Sequence, residues 1–385
     1  NFPYNDVRKH QDLLIQNINA SIENRKNLLA HAPTGLGKTV SALAPAITHA
    51  VNHDLAVLFL TSRHTQHRIV IDTIREIKEK YGLTIPVTDL ISKQAMCPQA
   101  VSQELSNPDF TDYCKDMRET GRCKYYKRTR KVELTAKAES VLNHLINESP
   151  MHSEEMISEC VSNELCPYEL ALELGKQSRV IVCDYFHVFS DPIRKSFMNR
   201  MNKSLEDSII IIDEAHNLPD RIRSLMTHKL SSYTLNGSIK ELLEEEYKNE
   251  ANIVRQIMRV MESLISSSDK EKIIKREDLI NQLESLTKWG YDEITGELLS
   301  AGESIREVKN KSFTLSIARF LDSWFNSERN DLRVIKYEYS KRGNKYLTII
   351  KYCLNPAKHT QEVFTESYSS ILMSGTLTPT KMYSE

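Results

Sequence analysis

Eight residues, Ala32-Pro33-Thr34-Gly35-Leu36-Gly37-Lys38-Thr39, restrict the fold of this 385-residue chain more than any other stretch. The short apolar run Leu28-Leu29-Ala30, after Asn27, leads into them, and a helix-compatible run, Val40 to Ala50, leads out. Strand, glycine-bearing turn, then Gly-Lys-Thr opening a helix is the physical recipe for a phosphate cradle. Gly35 and Gly37 let the backbone turn tightly with its N–H groups pointing inward. The helix that begins at Lys38 adds the positive end of its dipole. Lys38 is then placed to reach β- and γ-phosphates, and the Thr39 hydroxyl to hold Mg²⁺. The pattern usually begins with Gly, and here Ala32 takes that place. A chance turn between a buried strand and a helix is the alternative, and the correct flanking elements weigh against it.

The segments on either side extend the pattern. Val7 to Glu23 reads as a helix with Leu14, Ile18 and Ile22 on one side, and Gln11 falls early in it, where it would fold back onto a nucleotide base. After the loop helix comes Leu55-Ala56-Val57-Leu58-Phe59-Leu60, a continuous apolar run of strand length, as in a parallel sheet covered on both faces. It ends in Thr61-Ser62-Arg63-His64, polar and basic residues at the carboxyl end of a strand, where open α/β sheets bind ligands. A helix from Thr65 to Tyr81 follows, and βαβα argues a doubly wound sheet. Strand character returns at Val180-Ile181-Val182-Cys183 and at Ile209-Ile210-Ile211-Ile212. The second of these delivers Asp213-Glu214-Ala215-His216 at its carboxyl end. Asp213 is the expected partner of Mg²⁺, opposite Lys38 and Thr39, and Glu214 is placed to orient or deprotonate an attacking water. His216 would couple the nucleotide site to its neighbours. A last buried strand, Ser370-Ile371-Leu372-Met373, ends in Ser374-Gly375-Thr376.

Two stretches interrupt this sheet. From about Ser92 the sequence is broken and charged, and Cys97, Cys114, Cys123, Cys160 and Cys166 fall within it. Seven cysteines, an odd number in a chain that reads as an intracellular ATPase, argue for metal or cluster ligation over a disulfide framework. Spacing alone leaves structural zinc as an alternative. From Pro219 to Thr365 helical periodicity dominates, with Ile253, Ile257, Val260 or Met261, and Leu264 on one face. Ser266 to Lys270 is a break. Arg333 to Tyr339 and Tyr346 to Cys353 are β-like and joined by a hairpin signal, Lys341-Arg342-Gly343-Asn344-Lys345. Between the cysteines, Lys115 to Lys131 is basic, and Tyr125 and Tyr126 are interleaved with Lys124, Lys127 and Arg128. Cations that track phosphates and rings that stack on bases suit single-stranded DNA. A solvated helix face is the bland alternative. Net charge is −1, so a nucleic acid would be held by such a local patch and not by overall basicity. No apolar run approaches a membrane span. The start, Asn1-Phe2-Pro3-Tyr4, has neither a signal-peptide pattern nor an initiator Met, as expected of a processed or trimmed start.

The motif order (phosphate loop, Thr61-Ser62-Arg63, Asp213-Glu214-Ala215-His216, Ser374-Gly375-Thr376) resembles that of superfamily 2 helicases. The cysteine-bearing insertion narrows the likeness: the chain resembles XPD, the iron–sulfur helicase family that includes DinG-like proteins. The details are Phe2-Pro3-Tyr4 and Gln11, Ser92-Lys93 ahead of Cys97, Cys166-Pro167-Tyr168, and Met373-Ser374-Gly375-Thr376-Leu377. This resemblance implies a RecA-like α/β sheet with two insertions: residues 1–90, 171–218 and 367–385 as the first motor domain, 91–170 as an iron–sulfur domain and 219–366 as a mainly helical arch. It implies ATP, Mg²⁺ and a [4Fe–4S] cluster on Cys97, Cys114, Cys123 and Cys166, with Cys160 as the competing ligand. Cys183 and Cys353 read as buried small hydrophobes. The resemblance further implies 5′ to 3′ translocation on single-stranded and forked DNA, in repair, by a monomer in the nucleus or nucleoid. Arg63 and Lys93 join the basic stretch as DNA contacts. The family places ATP between two motor domains, and no second one is legible here. The expectation is a chain that binds nucleotide but does not unwind DNA alone. Two other readings stay open at this stage: an ATP-driven DNA-binding module without unwinding, and a zinc-stabilised ATPase acting on RNA or protein.

Overall fold

A computed structural model of the chain describes residues 2–4, 6–309, 311–326, 331–340 and 343–384. It divides into two compact units: Asn1–Glu104, Met117–Ile222 and Pro356–Glu385 in the first, Leu105–Asp116 and Arg223–Asn355 in the second.

The first unit is built on six parallel strands, β1 (Leu28–His31), β2 (Ala56–Leu60), β3 (Val87–Leu90), β4 (Val180–Cys183), β5 (Ser208–Asp213) and β10 (Ser369–Ser374), in the order β1-β10-β5-β2-β4-β3. The continuous apolar runs are the cause. Ile209, Ile210, Ile211 and Ile212 of β5 are all fully buried, so both faces of the strand must be covered, and parallel strands with crossover helices do that. Each such side chain contributes about 1.5–3 kcal/mol by leaving water. On one face, Leu14, Ile18 and Ile22 of α1 (Gln11–Glu23), Leu43 and Ile47 of α2 (Lys38–His53) and Ile71 and Ile74 of α3 (His64–Tyr81) pack against the odd-numbered residues of β2 and β5.

Two elements depart from the sequence reading. The first helix begins at Gln11, not Val7, because His10 is left-handed at φ 67° and the apolar repeat starts only at Leu14. β3 is an additional strand whose polar centre conceals it. Thr88 and Asp89 are buried there, Thr88 bonded to the Ser178 hydroxyl at 2.7 Å and Asp89 to His67 Nδ1 at 2.5 Å and the Ser153 N–H at 2.8 Å. Between β3 and β4 the cysteine stretch forms five helices, α4 (Asn107–Glu119), α5 (Lys124–Thr129), α6 (Ala136–Glu148), α7 (Ser153–Ser162) and α8 (Pro167–Gln177).

The second unit is mixed. Helices Ser232–Glu244, Lys248–Leu264, Arg276–Thr287, Tyr291–Lys309 and Phe313–Phe325 enclose a core around Trp324 and Leu321. They share that core with an antiparallel sheet in the order β6-β9-β8-β7: β6 (His228–Ser231), β9 (Lys345–Tyr352), β8 (Leu332–Tyr339) and β7 (Glu271–Ile273). β8 and β9 are the expected hairpin, although Lys341 and Arg342 of its turn lie outside the described residues. β6 and β7 are too short to carry a period. Asp112 on α4 joins the segment 105–116 to this unit by pairing with Arg319 at 2.8 Å and Arg306 at 3.5 Å. Glu241 is buried and accepts from the Phe313 and Thr314 N–H groups at 3.0 and 2.6 Å, placing a carboxylate at the positive end of Phe313–Phe325. No described helix is long and apolar enough to cross a membrane.

Gly302 and Gly296 lie on the same helix in opposite circumstances. A Cβ at Gly302 would sit 2.5 Å from Leu315 N and 2.7 Å from Leu315 Cα, backbone that cannot step aside, whereas a Cβ at Gly296 would meet nothing within 4 Å. Helix propensity favours Ala by about 1 kcal/mol at either position, and overpacking costs about 1–3 kcal/mol at the first alone. Urea unfolding should therefore show Gly296→Ala more stable than wild type and Gly302→Ala less stable. Equal shifts for the two would contradict the packing described here.

Candidate functional site

The sheet brings the strand-end residues together at one edge. β1 pairs with β10, His31 opposite Ser374, and β10 pairs with β5, Met373 opposite Asp213, so the chain leaves these three adjacent strands side by side. The loop after β1 runs from Ala32 to Gly37, with Gly35 at φ 87° and Gly37 at φ 84°. These angles suit glycine and turn the backbone into the start of α2 at Lys38. The Ala32 N–H donates to the Ser374 carbonyl at 3.0 Å and ties the loop to β10. Pro33 and Thr34 are exposed, Leu36 and Thr39 half-buried. Gly375 stands close to the loop: a Cβ there would be 3.4 Å from Thr34 Oγ1 and 3.5 Å from Ala32 O. Gln11 is 2% exposed; its amide N–H donates to the Gly37 carbonyl at 3.4 Å, and its oxygen accepts from the Arg8 N–H at 2.9 Å. The Arg8 side chain donates to the Gly35 carbonyl.

Across this edge the charged groups form a chain of contacts. Lys38 Nζ lies 3.4 Å from Glu214 Oε1. Glu214 Oε2 accepts from the Ser374 hydroxyl at 3.1 Å, and Ser374 Oγ is 2.7 Å from His216 Nδ1. With the serine O–H donated to Glu214, the serine oxygen accepts from His216 Nδ1–H. The Thr376 N–H donates to the same oxygen at 3.2 Å. Glu214 itself is left-handed, φ 48° and ψ 44°. A charged, non-glycine residue held there carries strain of about 1–3 kcal/mol, and such strain concentrates at functional sites. The Tyr185 hydroxyl fixes the turn by donating to the carbonyls of Asp213 and Glu214.

Asp213 is 6% exposed, and its Oδ1 has no hydrogen-bond partner among the described residues. Burial, then the neighbouring charge of Glu214, pushes its carboxyl up to about 6, while Lys38 pulls the other way. A buried carboxylate with an open oxygen, at the sheet edge where Thr39 stands in the first turn of α2, is a donor set that fits a hard divalent cation. The cation would supply the countercharge that Asp213 lacks.

The cysteines are placed less decisively. Cys123 and Cys166 are the N-cap residues of α5 and α8, with Pro167 opening α8. The Cys123 sulfur accepts from the Gln99 amide at 3.4 Å. Cys97, Cys123 and Cys166 belong to the first unit, and Cys114 lies in the segment of α4 that belongs to the second. Among the described residues no three His, Cys, Asp or Glu side chains are gathered as a metal site. Cys160 is fully buried, and burial pushes its thiol up to about 12.

The basic stretch divides in two. Lys124, Lys127 and Arg63 are exposed; Lys124 Nζ lies 4.9 Å over the half-buried Tyr125 ring, and Lys93 Nζ 5.6 Å over Tyr168. Arg128 pairs with Glu164, and Arg118 and Arg130 face carboxylates of α8. The roles of Tyr185 and Arg8 escaped the sequence reading. Tyr185 follows β4 at the same sheet edge, a position that would have singled it out.

Three comparisons bear on this geometry. The DEAD_2 family model matches residues 59–235. The ATP-dependent DNA helicase CHL1 of Debaryomyces hansenii is 26% identical over 344 residues, which is 83% of this chain and 40% of that protein. Two solved structures, titled XPD_Helicase and Truncated XPD, share the fold with TM-scores of 0.67 and 0.62 at 22% and 20% identity. Each covers 98% of this chain, and the match spans 60% and 96% of theirs. The chain thus spans about 40% of the length of the curated relatives it matches. The DEAD_2 match covers the stretch from β2 to the start of the second unit, and the solved structures share the parallel-sheet fold. The chain is similar to these helicases in sequence and to the two XPD structures in fold.

One buried titratable group beside the site makes stability depend on pH. His187, two residues after Tyr185, is buried between Phe186 and Phe197, its Nδ1 3.3 Å from the Asp184 carbonyl. Burial pushes its imidazole down to about 3. The folded chain therefore keeps it neutral where the unfolded chain, near 6.5, takes up a proton. Stability is full above pH 6.5 and falls as pH drops towards 3, by about 2 kcal/mol from this residue at pH 5. Unfolding at pH 7.5 and 5 should show that this loss shrinks in His187→Gln. An unchanged difference would contradict it.

Proposed function

We propose that the chain is the ATP-binding part of a DNA helicase of the XPD type. In this reading ATP hydrolysis drives 5′ to 3′ translocation on single-stranded DNA and the opening of forked duplexes in DNA repair, nucleotide excision repair in particular. The carrying observation is the row of contacts from Lys38 through Glu214 and Ser374 to His216, set against the glycine-bearing loop at the carboxyl edge of a parallel sheet. The N–H groups of Ala32–Thr39 and the Lys38 ammonium bind the phosphates. Gln11, joined to Gly37, reports on the loop from the side of the base. Thr39 and Asp213 hold Mg²⁺, which neutralises phosphate charge when bound.

Lys38 Nζ lies 3.4 Å from Glu214 Oε1. Phosphate competes for that ammonium and releases the Glu214 carboxylate to orient and deprotonate water. Glu214 also touches Ser374, and Ser374 touches His216, so the change at the phosphate is passed to the strand-end residues Ser374, Gly375 and Thr376. A serine hydroxyl that donates a hydrogen bond to one partner and accepts one from another is suited to that coupling.

The same reading assigns a [4Fe–4S] cluster to Cys97, Cys114, Cys123 and Cys166; the full burial of Cys160, which pushes its thiol up to about 12, disfavours it as a ligand. It assigns DNA contact to Arg63, Lys93, Lys124, Tyr125, Lys127 and Arg128, of which the exposed lysines are the most accessible. Residues 91–170 form the cluster domain and 219–366 the arch, in a monomer that works with other repair factors in the nucleus or nucleoid.

DNA-stimulated ATP turnover and iron content test the reading together. Lys38→Ala should lower turnover by about 10²–10³-fold and leave iron unchanged. Cys97→Ser should lose iron, and Cys160→Ser should keep it. Wild-type turnover in Lys38→Ala would contradict the nucleotide site, and iron lost from Cys160→Ser but retained in Cys97→Ser would contradict the ligand set.

A further inference from the structure

Beneath the basic stretch, the first unit contains a polar cavity of about 450 Å³ to which the proposal above gives no role. α5, α8 and the helix Asp191–Met201 contribute to its wall. Its central feature is Glu169, 1% exposed, with three guanidinium groups around it. Arg200 bonds the carboxylate closely, Nη2 to Oε2 at 2.5 Å. Arg118 Nη1 and Arg130 Nε stand off at 3.7 and 3.9 Å, beyond hydrogen-bond distance. Arg130 and Lys176 also pair with Glu173.

Two observations show that this is more than an ion-pair brace for Glu169. The first is charge: the four cations Arg118, Arg130, Lys176 and Arg200 face the two carboxylates Glu169 and Glu173, an excess of two positive charges around one cavity. The second is hydrogen bonding. Arg118 Nε and Arg130 Nε are buried and have no hydrogen-bond partner among the described residues; nor has Glu169 Oε1, so two donors and one acceptor stand unmet. Native proteins rarely leave buried charged donors unmet, because the protein must then bear their full desolvation. Both guanidinium groups belong to the two arginines that Glu169 holds least closely. Arg118 lies 5.4 Å over the Tyr126 ring, which sets the plane of its fork. Ser196, Asn199 and Asn202 add neutral polar groups to the lining.

We infer that this cavity is a second phosphate-binding site, separate from the Ala32–Thr39 loop. A phosphate group accepts paired N–H donors from arginine forks, and its charge matches the excess. The polar lining selects against apolar ligands, and the cations against basic ones. The phosphate has two possible sources, a nucleic-acid backbone or a small soluble phosphate, and the probes distinguish them.

The experiment is titration calorimetry on the whole chain carrying Lys38→Ala, so that the first phosphate site is weakened. Inorganic pyrophosphate and a short oligothymidine are the two probes. Arg118→Gln and Arg130→Gln should each weaken binding about tenfold, as expected for loss of a charge-assisted contact. Glu169→Gln removes the carboxylate that competes for the arginines and keeps its shape, so it should tighten binding several-fold. An effect on oligothymidine alone assigns the site to nucleic-acid backbone; an effect on pyrophosphate alone assigns it to a soluble phosphate. If the arginines only brace Glu169, the variants change stability and leave both affinities where they were. That result, or weaker binding in Glu169→Gln, overturns the inference. Should either arginine variant fail to fold, the sign of the Glu169→Gln effect decides it.

Discussion

The contact between Lys38 and Glu214, 3.4 Å across the sheet edge, depends on the register of three parallel strands. Lys38 belongs to the helix after β1, Glu214 to the turn after β5, and Ser374, which joins Glu214 to His216, ends the strand between. Parallel strands deliver their carboxyl ends to one edge, where α/β sheets place ligands. A slip of one residue in β10 would move Ser374 from Glu214 and reverse its side chain. The buried Ile209–Ile212 and Ile371 therefore do more than stabilise the unit: they hold the register on which the polar contacts rest.

That apolar stability offsets local costs at the edge. Glu214 is held left-handed at φ 48°, and Asp213 is buried with one oxygen unmet among the described residues. Neither arrangement favours the fold by itself. Both fit a site arranged in advance for phosphate and a cation, where the ligand supplies the missing partners.

Legibility in the sequence followed chemistry closely. β2, β5 and β10 could be read because their apolar runs are continuous, and the loop because glycine is needed at two positions with φ above 80°. β3 could not, since Thr88 and Asp89 put polar groups into a buried strand and find partners only in α3, in the start of α7 and at Ser178. β6 and β7 have too few residues for a period to register. The basic stretch read as a uniform surface, yet Arg118, Arg128 and Arg130 face Glu164, Glu169 and Glu173, carboxylates of a later helix and the turn before it. Local charge counts do not anticipate pairings that the fold makes across tens of residues. Asp213, Glu214 and Ser374 were legible as strand-end residues; that Ser374 bridges Glu214 and His216 required the register.

The central claim is that the ends of β1 and β5 form one nucleotide site completed by a divalent cation. Equilibrium binding of a fluorescent ATP analogue, with and without Mg²⁺, tests it most directly. Mg²⁺ should strengthen binding to the wild-type chain, with that dependence lost in both Thr39→Val and Asp213→Asn. Binding indifferent to Mg²⁺ in the wild type, or a dependence that survives both substitutions, would contradict it.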